Sequence, residues 1–179
     1  MSEGAIPIRE ATPADAFAIA RVHVDSWRTT YPGIVSDGFL AGLTYEKRGV
    51  IWTGILGSAE GQTHVFVADD RSDGVVGFAS GGPYRGKDDN YDGELYAIYL
   101  LEAHQHRGTG RLLTSALASR LLEAGKHSLL AWVLMESTAR RFYESLRSVV
   151  VMEQDITIGG ATLKEVGYVW EDINTLINN

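Results

Sequence analysis

Glu94-Leu-Tyr-Ala-Ile-Tyr-Leu-Leu101, then Glu102-Ala-His-Gln-His-Arg107, then Gly108-Thr-Gly110 and the segment Arg111–Ala124 decide the architecture. The first piece is a short apolar, aromatic-rich run, the pattern of a buried strand. The second is a polar loop. From Leu112 the apolar residues fall at 112, 113, 116, 117, 121 and 122, the stripe of an amphipathic helix. A strand therefore feeds a glycine-punctuated turn that opens into a helix. The first turn of a helix carries unpaired N–H groups and a partial positive charge, so it attracts phosphates. Gly108 and Gly110 remove side chains that would hold a pyrophosphate away. Gln105, Arg107 and Arg111 are placed to add donors. A plain surface turn is the alternative reading of the same residues.

Outward from this unit, Ile6–Glu10 is β-prone, and Thr12-Pro-Ala-Asp15 is a helix entry. The helix that follows carries Ala16, Ile19, Ala20, His23 and Trp27 on one face, with Phe17 and Val24 beside it, and ends at Tyr31-Pro-Gly33. A second helical region covers about 37–57. Thr63–Ala68 and Val75–Ser80 form a hairpin, and residues 81–93 read as a loop. His127–Leu134 is a further strand, Ser137–Leu146 a short helix, and Val149–Ile158 with Thr162–Trp170 a final hairpin about Gly159-Gly160. The order β, α, α, β, β, β, α, β, α, β, β is mixed α/β.

Length and composition narrow the function. A chain of 179 residues fits one domain. A net charge of -7 argues against nucleic acid as the main partner and suits cationic small molecules. With no cysteine there is no thiol nucleophile, disulfide or thiolate metal site. The histidines, His104 and His106 included, do not make a metal-binding set, so no metal is expected. Lack of a membrane-length apolar run and of a secretion-type leader makes a cytoplasmic location, with no membrane partner, the expectation. Of two phosphate-loop lookalikes the first fails and the second is a distant rival. Gly81-x-x-x-x-Gly86-Lys87 is followed by Asp88 where a Ser or Thr is required, and Gly108-x-Gly110 lacks the third glycine of a dinucleotide fingerprint.

The spacing Gln105-x-x-Gly108-x-Gly110 resembles the pyrophosphate-binding signature of the GNAT superfamily of N-acetyltransferases. The element order is similar from about Ile6 to Glu171, which implies one domain over 6–172. Its expected core is a mostly antiparallel sheet of about seven strands flanked by about four helices. The resemblance implies acetyl-CoA as co-substrate, cradled by Gln105, His106, Arg107, Gly108, Thr109, Gly110 and Arg111. Asp92–Leu100 is similar to the family's fourth strand, so Ile98 and Leu100 would offer main-chain bonds to the pantetheine arm. Ser137–Tyr143 is similar to the segment beside the thioester, with Ser137 at the cofactor and Tyr143 matching the tyrosine that protonates the leaving thiolate. Three positions depart from the family: Ser137 stands for Asn, Glu102 for Pro, and Arg147-Ser148 for Gly-Phe.

Acetyl transfer needs a held thioester, a neutral amine and a proton for the thiolate. Glu94 is the candidate base, with a solvated strand-end charge as the alternative. Alternation puts it on one face with Tyr96 and Ile98. Trp27, Tyr31 and Tyr96 are candidate acceptor-binding residues, though an aromatic pair at helical spacing also suits a core. The expected reaction is direct attack by a primary amine of a small molecule or peptide. A non-catalytic acyl-CoA or nucleotide-binding module is the alternative. A homodimer is compatible with the resemblance.

Overall fold

The computed structural model describes residues 5–58, 62–87 and 90–177. Seven strands form one sheet in the order β1-β2-β3-β4-β5-β7-β6. They are β1 (Ile8–Glu10), β2 (His64–Asp70), β3 (Gly74–Pro83), β4 (Gly93–Leu100), β5 (Leu129–Leu134), β6 (Val149–Ile158) and β7 (Ala161–Trp170). Every pairing is antiparallel except β4 with β5. The helices are α1 (Ala16–Thr30), α2 (Asp37–Gly42), α3 (Tyr45–Leu56), α4 (Thr109–Glu123) and α5 (Arg140–Ser145). Among the described residues there are five α-helices, the 37–57 region dividing in two. Leu43 and Thr44 turn extended, and the Thr44 hydroxyl accepts the Lys47 N–H to start α3 afresh.

The helices cover opposite faces. On one side Leu113, Leu117, Ala118 and Leu121 of α4 and Tyr143 and Leu146 of α5 pack on Leu95, Ala131, Val133, Val166, Tyr168 and Trp170. On the other, Ile19, Ala20 and Val22 of α1 and Trp52 of α3 pack on Val65, Val67, Val75 and Phe78. Leu112 and Phe17 depart from the expected stripes and lie exposed. Residues 81–83 are not loop but the end of β3. A Cβ on Gly81 would stand 2.6 Å from the Glu94 carbonyl oxygen, and one on Gly82 would stand 2.3 Å from that of Gln62. Side-chain-free residues there let three strands close up.

Two features of β4 position the site. It pairs with β5 at only Gly93, Glu94 and Leu95, while β5 runs on to Leu134 beside β7. Beyond Leu95 the two parallel strands part. Opposite β3, Ala97 faces Ser80 and Leu95 faces Gly81, so Tyr96 is the extra residue of a bulge. The bulge breaks strict alternation. Glu94 and Tyr96 share the α1 face, but Ile98 packs on the α4 side. The expectation that Glu94, Tyr96 and Ile98 share one face fails for Ile98 for that reason.

At the paired end, Asp92 ties the two strands together. Its carboxylate accepts the His127 N–H at 2.9 Å and the Ser128 N–H and hydroxyl at 2.9 Å each, and its own N–H donates to Ser128 Oγ at 3.0 Å. Asp92 thus serves the hinge of the gap. Asp88, which stands where the phosphate-loop lookalike needs Ser or Thr, lies outside the described residues. Burial pushes the Asp92 carboxyl up, but the Ser128 and His127 donors outweigh it and hold it below its ordinary 3.8. A depressed carboxyl stabilises the fold above its unfolded pKa and ceases to as pH falls through the folded one. Asp92→Ala leaves the His127 and Ser128 donors without their acceptor and, discounted for the partial exposure of the carboxylate, is expected to cost about 1 kcal/mol at pH 7. Urea titration should show a lower midpoint at unchanged slope, with the difference from wild type fading as pH falls through the depressed pKa of the Asp92 carboxyl.

Candidate active site

The turn between β4 and α4 has the backbone of an anion cradle. His106 and Gly108 both take left-handed conformations, with φ of 61° and 82°. Such residues swing successive N–H groups toward one concave side. Gly108 is the N-cap of α4, and the Leu112 N–H is bonded back to its carbonyl at 3.2 Å. The amides of Thr109, Gly110 and Arg111 precede that first helical bond. The space beside Gly108 is open, which fits a bound phosphate.

The neighbours of the cradle divide differently from expectation. A Cβ on Gly110 would meet the Phe142 ring at 3.0 Å, so its missing side chain serves the contact of α4 with α5, while its amide stays in the first turn. Gln105 does not project a donor outward, because its Nε2 binds the Leu100 carbonyl at 3.0 Å. The Ser26 hydroxyl reaches the same oxygen at 3.2 Å, so the Leu100 carbonyl is already taken. Arg111 donates to the Ser145 carbonyl at 3.3 Å. His106 and Arg107 are exposed, and Thr109 is buried. Ile98 lies on the splayed stretch, with one strand edge turned from β3 toward the gap. Ser137 is buried, and its hydroxyl accepts the Ala139 N–H at 3.2 Å, capping the turn into α5.

On the α1 face lies a cleft of about 540 Å³. Trp27 and Tyr31 of α1 and its exit, Tyr96 and Tyr99 of β4, and Trp132 of β5 line it, together with Arg85 and two carboxylates, Glu94 and Glu165. The structure thus gathers Glu94, Tyr96, Trp27 and Tyr31, as the sequence suggested. Trp27 stands edge-on to Tyr31 with ring centroids 4.9 Å apart. The Tyr31 and Tyr99 hydroxyls meet at 3.3 Å. Behind Tyr99, His23 stacks on its ring and accepts the Trp52 indole N–H at 3.2 Å. Burial pulls His23 down to about 3, so it is a neutral support whose lone pair is occupied.

Glu94 is not a solvated strand-end charge. It is 3% exposed, and Arg85 serves both its oxygens: the backbone N–H donates to one at 2.9 Å, the guanidinium to the other. The same guanidinium sits 4.0 Å over the Tyr96 ring. Tyr143 approaches from the opposite face, buried and stacked on Tyr168 at 5.5 Å. Burial raises its phenol well above the ordinary range, and the nearby phenols of Tyr31 and Tyr168 add to this. It therefore stays protonated at neutral pH, as a proton donor must.

Sequence reading missed Arg85, Tyr99, Trp132 and Glu165. Tyr99 was hidden by the bulge, which moves it onto the cleft face. Glu165 reads as a solvent-facing strand charge, since Val166, Tyr168 and Trp170 claim the inward positions. Among the described residues no group of three or more His, Cys, Asp or Glu side chains is placed to hold a metal, and no helix is long and apolar enough to cross a membrane.

Comparison with known proteins points the same way. Residues 84–153, which span β4, the cradle, α4 and α5, match the FR47-like protein family. The chain is 43% identical over 171 residues to the uncharacterized N-acetyltransferase YuaI of Bacillus subtilis, covering 96% of each. A GCN5-related N-acetyltransferase from Rhodopseudomonas palustris shares the fold with a TM-score of 0.71, at 20% identity and 94% and 97% coverage of the two chains. The paia N-acetyltransferase of Thermoplasma acidophilum, solved in complex with coenzyme A, superposes with a TM-score of 0.69 at 20% identity, covering 89% of this chain and 96% of that one.

If the cradle holds a pyrophosphate, a carboxylate beside it must repel the ligand. Asp tolerates left-handed backbone better than most residues, and position 108 has room for it. Gly108→Asp is expected to fold and to bind coenzyme A at least tenfold more weakly, about 1.4 kcal/mol. Isothermal calorimetry with coenzyme A reads this directly, and unchanged affinity would remove the cradle from the site.

Proposed function

Since this chain belongs to the GNAT superfamily of N-acetyltransferases, we propose that it moves the acetyl group of acetyl-CoA onto a primary amine of a small molecule or peptide, by direct attack in a ternary complex. One observation carries the reading: the parting of β4 from β5 after Leu95 opens a gap between the cradle at Gly108 and the aromatic cleft. An acyl chain running from the cradle along the free edge of β4 would present its thioester between Tyr143 on one face and the amine on the other. Ile98 and the amides from His106 to Arg111 would hold the cofactor, and Ser137 would shape its end of the gap.

In this reading the amine nitrogen attacks the thioester carbonyl carbon, a C–N bond forms and the C–S bond breaks. The Tyr143 hydroxyl gives its proton to the departing sulfur. A thiol has an ordinary pKa of about 8.5, well below the raised phenol, so the transfer relies on the developing charge being quenched as it forms. The acceptor is a cation before it reacts. Glu94 and Glu165 outnumber Arg85 in the cleft, and the faces of Trp27 and Tyr31 offer cation–π contacts of about 0.5–2 kcal/mol. The acidic chain works in the same direction.

Free thiol followed over time, with acetyl-CoA and a panel of amines, tests the whole reading. Release that depends on an amine supports transfer. Saturable binding of acetyl-CoA without release identifies a non-catalytic acyl-CoA-binding module instead. Within the enzyme, Tyr143→Phe removes one oxygen and keeps the ring stack. Its kcat should fall by about 10²–10⁴ at little-changed affinity for coenzyme A. The wild-type rate should not lose its acid up to about pH 10, because the phenol is raised. A Phe variant turning over within threefold of wild type reduces Tyr143 to packing. For a cationic acceptor, KM should rise as salt goes from 0.02 to 0.3 M, since attraction is screened over roughly 8–10 Å at about 0.1–0.15 M. Anionic amines outcompeting cationic ones in the panel would rule out this cleft chemistry.

A further inference from the structure

We propose that Glu165 of β7, rather than Glu94, receives the proton released by the acceptor amine, with Glu94 kept as a fixed negative wall by Arg85. The inference rests on the acetyl-transfer reading and assigns one of its roles. Two carboxylates face the cleft, and their hydrogen bonding separates them. Arg85 donates from its backbone N–H to Glu94 Oε2 and from its guanidinium to Oε1, so neither oxygen is left without a donor. Protonating Glu94 would weaken that ion pair.

Glu165 is placed otherwise. It lies opposite Leu134 of β5 and Gln154 of β6 in the sheet, with Gln154, Ile156 and Ile158 along the same wall of the cleft. It is 7% exposed. The Gln154 side-chain amide donates to Oε1 at 2.6 Å, and Oε2 takes no hydrogen bond among the described residues. One oxygen is oriented and the other is open. That is the arrangement of a group that accepts a proton and passes it on.

The surroundings agree. Facing Glu165 are Glu94 from β4, Arg85 from the segment after β3, Tyr31 from the exit of α1, and Gln154. Burial pushes its carboxyl up, and the Glu94 charge pushes the same way; Gln154 and Arg85 oppose but do not reverse the shift. A carboxylate that binds its proton more tightly than usual is a better acceptor for an ammonium proton. Balanced as a step, R–NH₃⁺ gives one proton to Glu165 Oε2, directly or through one water. The neutral amine then attacks the thioester carbon. The sulfur takes the Tyr143 proton, the amide nitrogen loses its second proton to solvent, and Tyr143 and Glu165 return to their starting states through solvent. One proton is released for each acetyl group transferred.

The experiment compares pH–rate profiles of wild type, Glu165→Gln, Glu165→Asp and Glu94→Gln with one cationic primary amine found by the panel. Wild type should show an acid limb in kcat. Glu165→Gln keeps the shape and should lose that limb, with kcat/KM lower by about 10²–10⁴ at pH 7 and a smaller deficit at pH 9.5, where more amine is already neutral. Glu165→Asp should keep a limb at reduced rate. Glu94→Gln should keep the limb and raise KM. Coenzyme A affinity and thermal midpoint, read on each variant, separate loss of a proton acceptor from loss of the fold. If Glu165→Gln does not fold, a Glu165→Asp enzyme with no change in limb position or rate overturns the proposal. So does an intact limb in Glu165→Gln, or a limb that vanishes in Glu94→Gln. A wild-type protein that acetylates no amine at all defeats the acetyl-transfer reading itself, and this inference falls with it.

Discussion

The divergence of two parallel strands is the constraint on which the site depends. β4 and β5 share three register pairs and then part, although β4 still has five residues to run. A sheet normally closes such an edge, because each unpaired backbone group must otherwise find water or a ligand. Here the edge is held open from both sides. Asp92 clamps the strands at the paired end, the Tyr96 bulge bends β4 away, and β7 draws β5 in the other direction. The gap runs between two helical layers, so one side can be built for an anion and the other for a cation.

The chemistry of the two sides follows from which groups are buried beside which. Left-handed backbone at His106 and Gly108, next to the first turn of a 15-residue helix, makes a positive concavity without requiring a fixed cation. The cleft is the reverse: two carboxylates, one guanidinium and a ring of aromatic faces. Burial holds Tyr143 protonated and His23 neutral, which leaves the carboxylates as the cleft groups to receive a proton. Arg85 then decides between them, by occupying one and leaving the other partly open.

The departures from the family pattern are accommodated locally. Arg147 stands where glycine is usual and is forced to φ 61°, a conformation that costs a residue with a Cβ about 1 kcal/mol or more. The turn is pinned by the Arg147 N–H to the Glu144 carbonyl at 3.0 Å and the Ser148 hydroxyl to the Tyr143 carbonyl at 2.8 Å. The Trp170 indole adds a bond to the Leu146 carbonyl at 2.8 Å. These bonds hold the carbonyl ends of the helix that carries Tyr143, so the substitution is absorbed beside the site without displacing that tyrosine from its stack on Tyr168. Ser137 does similar service at the other end of the same helix.

The chain by itself determined what depends on near neighbours. Strand and helix periods, the cradle glycine at 108 and the hairpin at 159–160 are local choices of backbone, and all are readable from residue types a few positions apart. So was the grouping of Trp27, Tyr31, Glu94 and Tyr96, which line one cleft. What only the tertiary structure decided depends on contacts between distant segments. Gly110 is a packing residue because α5 brings Phe142 against it. Gln105 is spent on the end of β4, Asp92 on the start of β5, and Glu94 on Arg85. Tyr99 enters the cleft because one bulge shifts the alternation of β4. Glu165 is the clearest case: on its strand it occupies a position that alternation assigns to solvent. It becomes a buried carboxyl only because β6 and the segments around α1 and β3 enclose that face, and a sequence period carries no information about what will cover the other side of a sheet.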